Sequence, residues 1–142
     1  MTGMSAPARR RRLSLTEKLW LSAEILVAYV RTRRALRRWR LLVAVAEVRG
    51  SSSPVPEVDD DPYAMGLRLS AAVRRVLEAL PWDPRCLTTS LVLSAMLARR
   101  GIPSTLVIGV RPDPFGAHAW VEYDGRPLLP PAGEPFARLL EI

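Results

Sequence analysis

The sequence predicts an α+β fold in which a helix carrying the lone cysteine packs on a small antiparallel sheet carrying the lone histidine, with further helices in front. Three observations predict it. Apolar residues recur at helical spacing as far as Arg100; β-branched residues mark Ser104 to Val110 and Ala117 to Tyr123 as strands; and Asp124-Gly125 is a two-residue hairpin signal. The 142 residues suffice for one compact domain with an appendage, and not for two domains of ordinary size.

Residues 1–13 are small, polar and basic, and form an expected disordered tail. Ser14-Leu15-Thr16-Glu17 reads as a capping box, the hydroxyl accepting from an orphan amide and the glutamate reaching back, and it opens an N-terminal helical segment, residues 14–50. Leu15, Leu19, Leu26 and Val30 recur at helical spacing, with Trp20, Ile25 and Val27 widening the face, so this side is the expected buried one. Leu36, Trp39 and Val43 indicate a continuation or a second helix to about Val48, and the arginines from Arg31 to Arg40 are expected to face outward.

Gly50, three serines, Pro54 and Pro56 make residues 51–60 a linker, because prolines and small polar residues supply neither a helix nor a core face. The second unit, residues 61–142, begins where Asp61-Pro62 can start a helix through about Leu80, with Leu69, Val73, Val76, Leu77 and Leu80 as its buried stripe. Pro81 ends it. After the rigid Pro81-Trp82-Asp83-Pro84-Arg85, a helix runs from Cys86 to Arg100, closed by Gly101 as a left-handed residue. Pro112 to Gly116 is the expected turn between the two strands, and Arg126 to Leu129 follows the hairpin. Pro130, Pro131 and Pro135 then lead away from the sheet, toward an expected helical turn at Phe136 to Leu140.

Charge is unevenly placed. Twelve of the 21 Lys and Arg, but only three of the 14 acids, fall within residues 1–50. Such a cation field attracts anionic lipid, nucleic acid or an acidic partner without selecting among them. No nucleic-acid reading motif accompanies it, so nucleic acid ranks last and is not an expected partner. The arginines at Arg9 to Arg12 ahead of an apolar run from Leu19 to Val30 imitate a signal peptide, but Glu24 interrupts the run, no small-residue cleavage pattern follows it, and Arg31, Arg33 and Arg34 come next. The run is also shorter than the roughly 20 residues that span a bilayer, which leaves only peripheral membrane contact through the basic helices open. With one Cys there is no internal disulfide and no multi-cysteine metal site, so a reducing cytoplasm is the expected location.

Cys86 falls in the first turn of its helix, where unpaired amides and the positive end of the dipole favour a thiolate. His118 lies 32 residues on, so the two can meet only by docking of the helix on the sheet. A lone cysteine on an apolar helix is more often a small core residue, and a lone strand histidine usually satisfies a local hydrogen bond; position at a helix start and beside a Pro/Gly-rich turn sets this pair apart.

The stretch PRCLTTSLVLSAMLARRGIPSTLVIGVRPDPFGAHAWVEYDGRP, from Pro84 to Pro127, resembles the leader peptidases of lasso peptide maturation, the peptidase part of the family's B proteins, within the transglutaminase-like (papain-like) superfamily of cysteine proteases. The matching features are the Pro-Arg-Cys helix entry, Arg99-Arg100-Gly101-Ile102-Pro103 at its exit, Gly109-Val110 before the turn, and Pro114-Phe115 leading into Ala117-His118-Ala119-Trp120-Val121-Glu122. The arginine-rich helices before the linker resemble the start of the family's stand-alone members. The resemblance implies that Cys86 attacks a peptide carbonyl of a precursor while His118 takes the thiol proton and returns it to the leaving amine. It implies as partners the precursor peptide, a leader-recognition protein and an ATP-dependent, asparagine-synthetase-like cyclase. This chain has no Gly-rich phosphate loop, and neither a cofactor nor a metal is expected here.

Centring the hairpin on Asp124-Gly125 places His118 opposite Pro131, so an acid orienting the imidazole should stand near Pro130 to Ala132. Members of the family usually carry one there; this chain has Leu129-Pro130-Pro131-Ala132. Glu134, the nearest downstream acid, is the first candidate for the third catalytic position and Asp124 the second; a backbone carbonyl could also fix the tautomer. Glu122 shares strand parity with His118 and is expected to meet solvent or substrate. The Cys86 amide is one expected oxyanion donor. Trp82 and Trp120 are candidate walls of a substrate cleft, although large aromatics beside a sheet are more often core, and Arg85 is a candidate substrate contact. The same Cys–His chemistry would serve an acyltransferase or deamidase, and loss of the family's acid would also fit an inactive scaffold that binds leader or cyclase.

Overall fold

The computed structural model describes residues 12–50, 61–81, 85–128 and 136–142; the first eleven residues of the expected tail, the expected linker, Trp82, Glu134 and the stretch around Pro131 lie outside the described residues. Among the described residues four helices precede four strands: α1 (Leu15–Arg38), α2 (Leu41–Gly50), α3 (Pro62–Glu78), α4 (Cys86–Arg99), β1 (Thr105–Pro112), β2 (Phe115–Tyr123), β3 (Arg126–Pro127) and β4 (Ala137–Glu141). The strands form one antiparallel sheet in the order β3-β2-β1-β4, which makes the fold α+β.

Local chemistry sets the boundaries. The Ser14 hydroxyl accepts from the Glu17 amide at 3.2 Å and the Glu17 carboxylate accepts from the Ser14 amide at 2.7 Å, the reciprocal bonds of a capping box. Asp61 caps α3 by accepting from the amides of Tyr63 and Ala64, and Pro62 follows at the first helical position. At the end of α4, Gly101 adopts φ +66°, which allows its amide to reach the Ala98 carbonyl and the Ile102 amide to reach that of Leu97, both at 3.0 Å. Asp124 and Gly125 both have positive φ, 50° and 72°, as a tight hairpin requires.

α4 is the central element. Its residues Ser90 to Leu97 are all buried, it packs on β1 and β2, and α1, α2 and α3 pack around it. Ile25 and Tyr29 of α1, Val45 of α2, and Leu69, Val73 and Leu77 of α3 meet Leu91, Met96, Leu106 and Val121 in one core, so the helices on both sides of residues 51–60 share it. α3 is tied to the end of the sheet by the Ser70 hydroxyl, which donates to the Leu128 carbonyl at 2.7 Å, and by the Leu128 side chain, which fills the space a β-carbon on Gly66 would occupy.

Four expectations need correction. α1 buries Glu24, Ile25, Tyr29, Thr32 and Ala35, whereas Leu15, Leu19, Trp20, Leu26, Val27 and Val30 are exposed. Periodicity identified an apolar ridge, but the buried one was decided by tertiary partners: Arg99 and Arg100 neutralise Glu24, the latter with two hydrogen bonds of 3.0 and 3.1 Å, and small residues allow close approach. The turn between the first two strands is confined to Asp113 and Pro114, because β1 runs on to Pro112 and β2 starts at Phe115. Residues 137–141 are a strand, not a helical turn. Their backbone groups satisfy the free edge of β1, with a register shift between Ile108 and Gly109. Finally, Glu122 is buried, for a reason that belongs to the site.

Candidate active site

Arg85 takes an extended conformation as N-cap of α4 and offers no side-chain cap, so the amides of the first turn are not taken up by it. Cys86 is the next residue, partly buried against the edge of the core, while Arg85 is exposed. One helical turn later on the same ridge, the buried Ser90 hydroxyl donates to the carbonyl of Ala119 at 3.0 Å. Ala119 is the neighbour of His118. The start of α4 is therefore fastened to the middle of β2, with Cys86 roughly 6 Å along the helix axis from the fastening point. Among the described residues neither the thiol nor the imidazole makes a side-chain hydrogen bond, to the other or elsewhere; Cys–His pairs often tighten only when substrate is bound.

His118 is half-buried between aromatic rings. Trp120 stacks beside it, centroids 6.2 Å apart and planes 18° from parallel, and Phe136 lies 5.6 Å away. Its partner across β1 is Gly109, where a β-carbon would come within 2.8 Å of both Phe136 and the Trp120 ring. Only glycine lets those two side chains close over β1 next to the imidazole. Burial pushes the His118 pKa below its usual value, which favours the neutral, proton-accepting ring.

Glu122 stands on the same face, two residues beyond Trp120. Rather than meeting solvent, its carboxylate accepts from the Trp120 indole N–H at 2.9 Å and from both terminal nitrogens of Arg138 at 2.8 and 3.1 Å. Arg138 also donates to Glu141 at 2.7 Å, so β4 is clasped across β1 onto β2. Strand parity linked His118 and Glu122 in the sequence. Phe136 and Arg138 carried no such signal, because β4 itself was not expected.

Of the candidate site residues, Cys86, His118 and Trp120 stand close to the fastening point, and Arg85 lies exposed beside them. Trp120 is buried and stacked on the imidazole, hence part of the core beside His118. Asp124 occupies the hairpin turn six residues from His118, roughly 20 Å along an extended strand. Trp82 and Glu134 lie outside the described residues.

Residues 26–141 match the family model described as the transglutaminase-like superfamily. The microcin J25-processing protein McjB of Escherichia coli is 51% identical over 41 residues, a stretch that makes up 29% of this chain and 20% of that protein. No solved structure matches.

Proposed function

The chain belongs to the transglutaminase-like superfamily, and from that premise we propose that it is a cysteine peptidase that removes the leader from a ribosomally made lasso precursor peptide. The observation that carries the reading is the Ser90–Ala119 hydrogen bond, which docks the Cys86 helix start on the strand of His118. The processing role in the name of McjB supports the substrate class. His118, neutral by burial, takes the thiol proton as Cys86 attacks the scissile carbonyl, and first-turn amides of α4 meet the oxyanion. The protonated imidazole then gives its proton to the leaving amine, the new N-terminus of the core peptide. Water, deprotonated by His118, opens the thioester and releases the leader with a free carboxylate. Arg85, exposed next to Cys86 in the chain, is the proposed substrate contact, and buried Trp120 supports the imidazole from the sheet. A leader-recognition protein and a cyclase are the partners this role calls for.

Incubation of the protein with a precursor peptide and its leader-recognition protein, followed by mass spectrometry, tests the assignment. Two fragments that together equal the precursor plus one water support it; a single product altered by deamidation or amine incorporation, or an unchanged precursor, overturns it.

The titration of His118 makes a separate prediction. A depressed imidazole pKa keeps the base neutral to lower pH, so the acidic limb of kcat/KM should lie below 6.5. The linked stability has the same sign: present above the unfolded value near 6.5, it is lost as pH falls through the folded value. Because the chain holds a single His, NMR of that imidazole in Cys86→Ala protein reads the value directly, and a midpoint above 6.5 would contradict the burial argument.

A further inference from the structure

The outward face of α1 has an order along its axis that neither packing nor catalysis uses. Leu15, Leu19 and Trp20 are 79%, 72% and 70% exposed, and Val27 and Val30 about half. Seven-residue steps lead from Leu19 through Leu26 to Arg33, and from Trp20 through Val27 to Arg34. Over this face α1 is thus apolar from Leu15 to Val30, about four turns, and cationic from Arg31 to Arg38, about two. Arg31, Arg37 and Arg38 complete an exposed guanidinium cluster on the same end, while the nearest carboxylate on the helix, Glu24, is turned inward against Arg99 and Arg100. Between Leu19, Trp20, Ala23 and Val27 the surface sinks into an open groove of about 450 Å³, closed on its inner side by the Glu24–Arg99 ion pair.

We infer that this face docks on an anionic lipid surface, with the apolar turns entering the headgroup boundary and the arginines binding lipid phosphates. Charge complementarity selects this occupant. The cluster is of one sign, made of guanidinium groups suited to several phosphates at once, and it adjoins an exposed Trp, the side chain that settles at a membrane interface. No helix among the described residues is long and apolar enough to cross a membrane, so the contact is peripheral. The inference stands apart from the peptidase reading and can hold or fail without it.

Co-sedimentation of the full chain with phosphatidylcholine vesicles, with and without phosphatidylglycerol, is the test. Binding should require the anionic lipid and weaken as salt is raised. Replacing Arg34, Arg37 and Arg38 by Glu, or Leu15, Leu19 and Trp20 by Ser, should each weaken it at least about tenfold, since both the electrostatic and the apolar parts are needed. All six residues are exposed, so circular dichroism melts should match wild type; the lipid and salt dependence of wild type reads the proposal without any variant. It is overturned if wild type ignores phosphatidylglycerol, if the serine variant binds as wild type does, or if wild type is a dimer that the serine variant dissolves, which would make the face a contact between copies.

Discussion

Cys86→Ala should stop leader release while leaving the protein folded. The expected fall in the first-order rate is on the order of 10⁴-fold or more, because a nucleophile and its base act as a unit and neither works without the other. His118→Ala should lose as much, and the double variant should be no worse than either single one. The two differ in stability. Cys86 is only partly buried at the first residue of α4, so its truncation should cost under about 1 kcal/mol. His118 is wedged against Trp120 and Phe136, and its removal opens space beside both rings. Comparing single-turnover cleavage with urea melts separates the effects. Equal precursor processing by wild type and Cys86→Ala would remove the peptidase reading and favour a scaffold that binds leader or cyclase.

How far the fold was legible follows from the range of the interactions that set each element. Ser14 and Glu17, Asp61, Gly101 and Asp124-Gly125 announce their helix ends and hairpin because the partners of those bonds lie within a few residues. The buried side of α1 depends on groups some 75 positions away, Arg99 and Arg100, which make a glutamate acceptable in the core; a hydropathy pattern scores that residue as solvent-facing. β4 was missed for a related reason. Residues 137–141 have no strong period, and they become a strand only because the outer edge of β1 needs partners. At the candidate site, the placement of Cys86 at a helix start and of His118 on a strand beside a tight turn was readable, since these are local features. Ser90, at helical spacing from Cys86, was equally readable as a residue of the same ridge, but its acceptor on β2 was not.

Glu122→Ala should lower both stability and turnover, and the comparison with Glu122→Gln tells why. In wild type three N–H donors converge on one buried carboxylate, from Trp120 and twice from Arg138. Removing a buried carboxylate relieves its own desolvation cost, which pulls toward a small effect. The partners decide the sign. Arg138 is half-exposed and keeps Glu141, so it can return to water, but the Trp120 indole is buried and would be left without an acceptor. An unsatisfied buried donor together with the lost charged bonds should cost about 2–3 kcal/mol in urea unfolding. Gln retains an acceptor oxygen for the indole and loses only the ionic share with Arg138, so about 1 kcal/mol or less is expected. If Trp120 holds the imidazole in place, cleavage should follow the same ranking through kcat rather than KM, with Glu122→Ala slowed about tenfold or more and Glu122→Gln close to wild type. A Glu122→Ala protein that is destabilised yet turns over at the wild-type kcat under conditions where it is folded would show that the clasp from β4 supports the sheet and not the base.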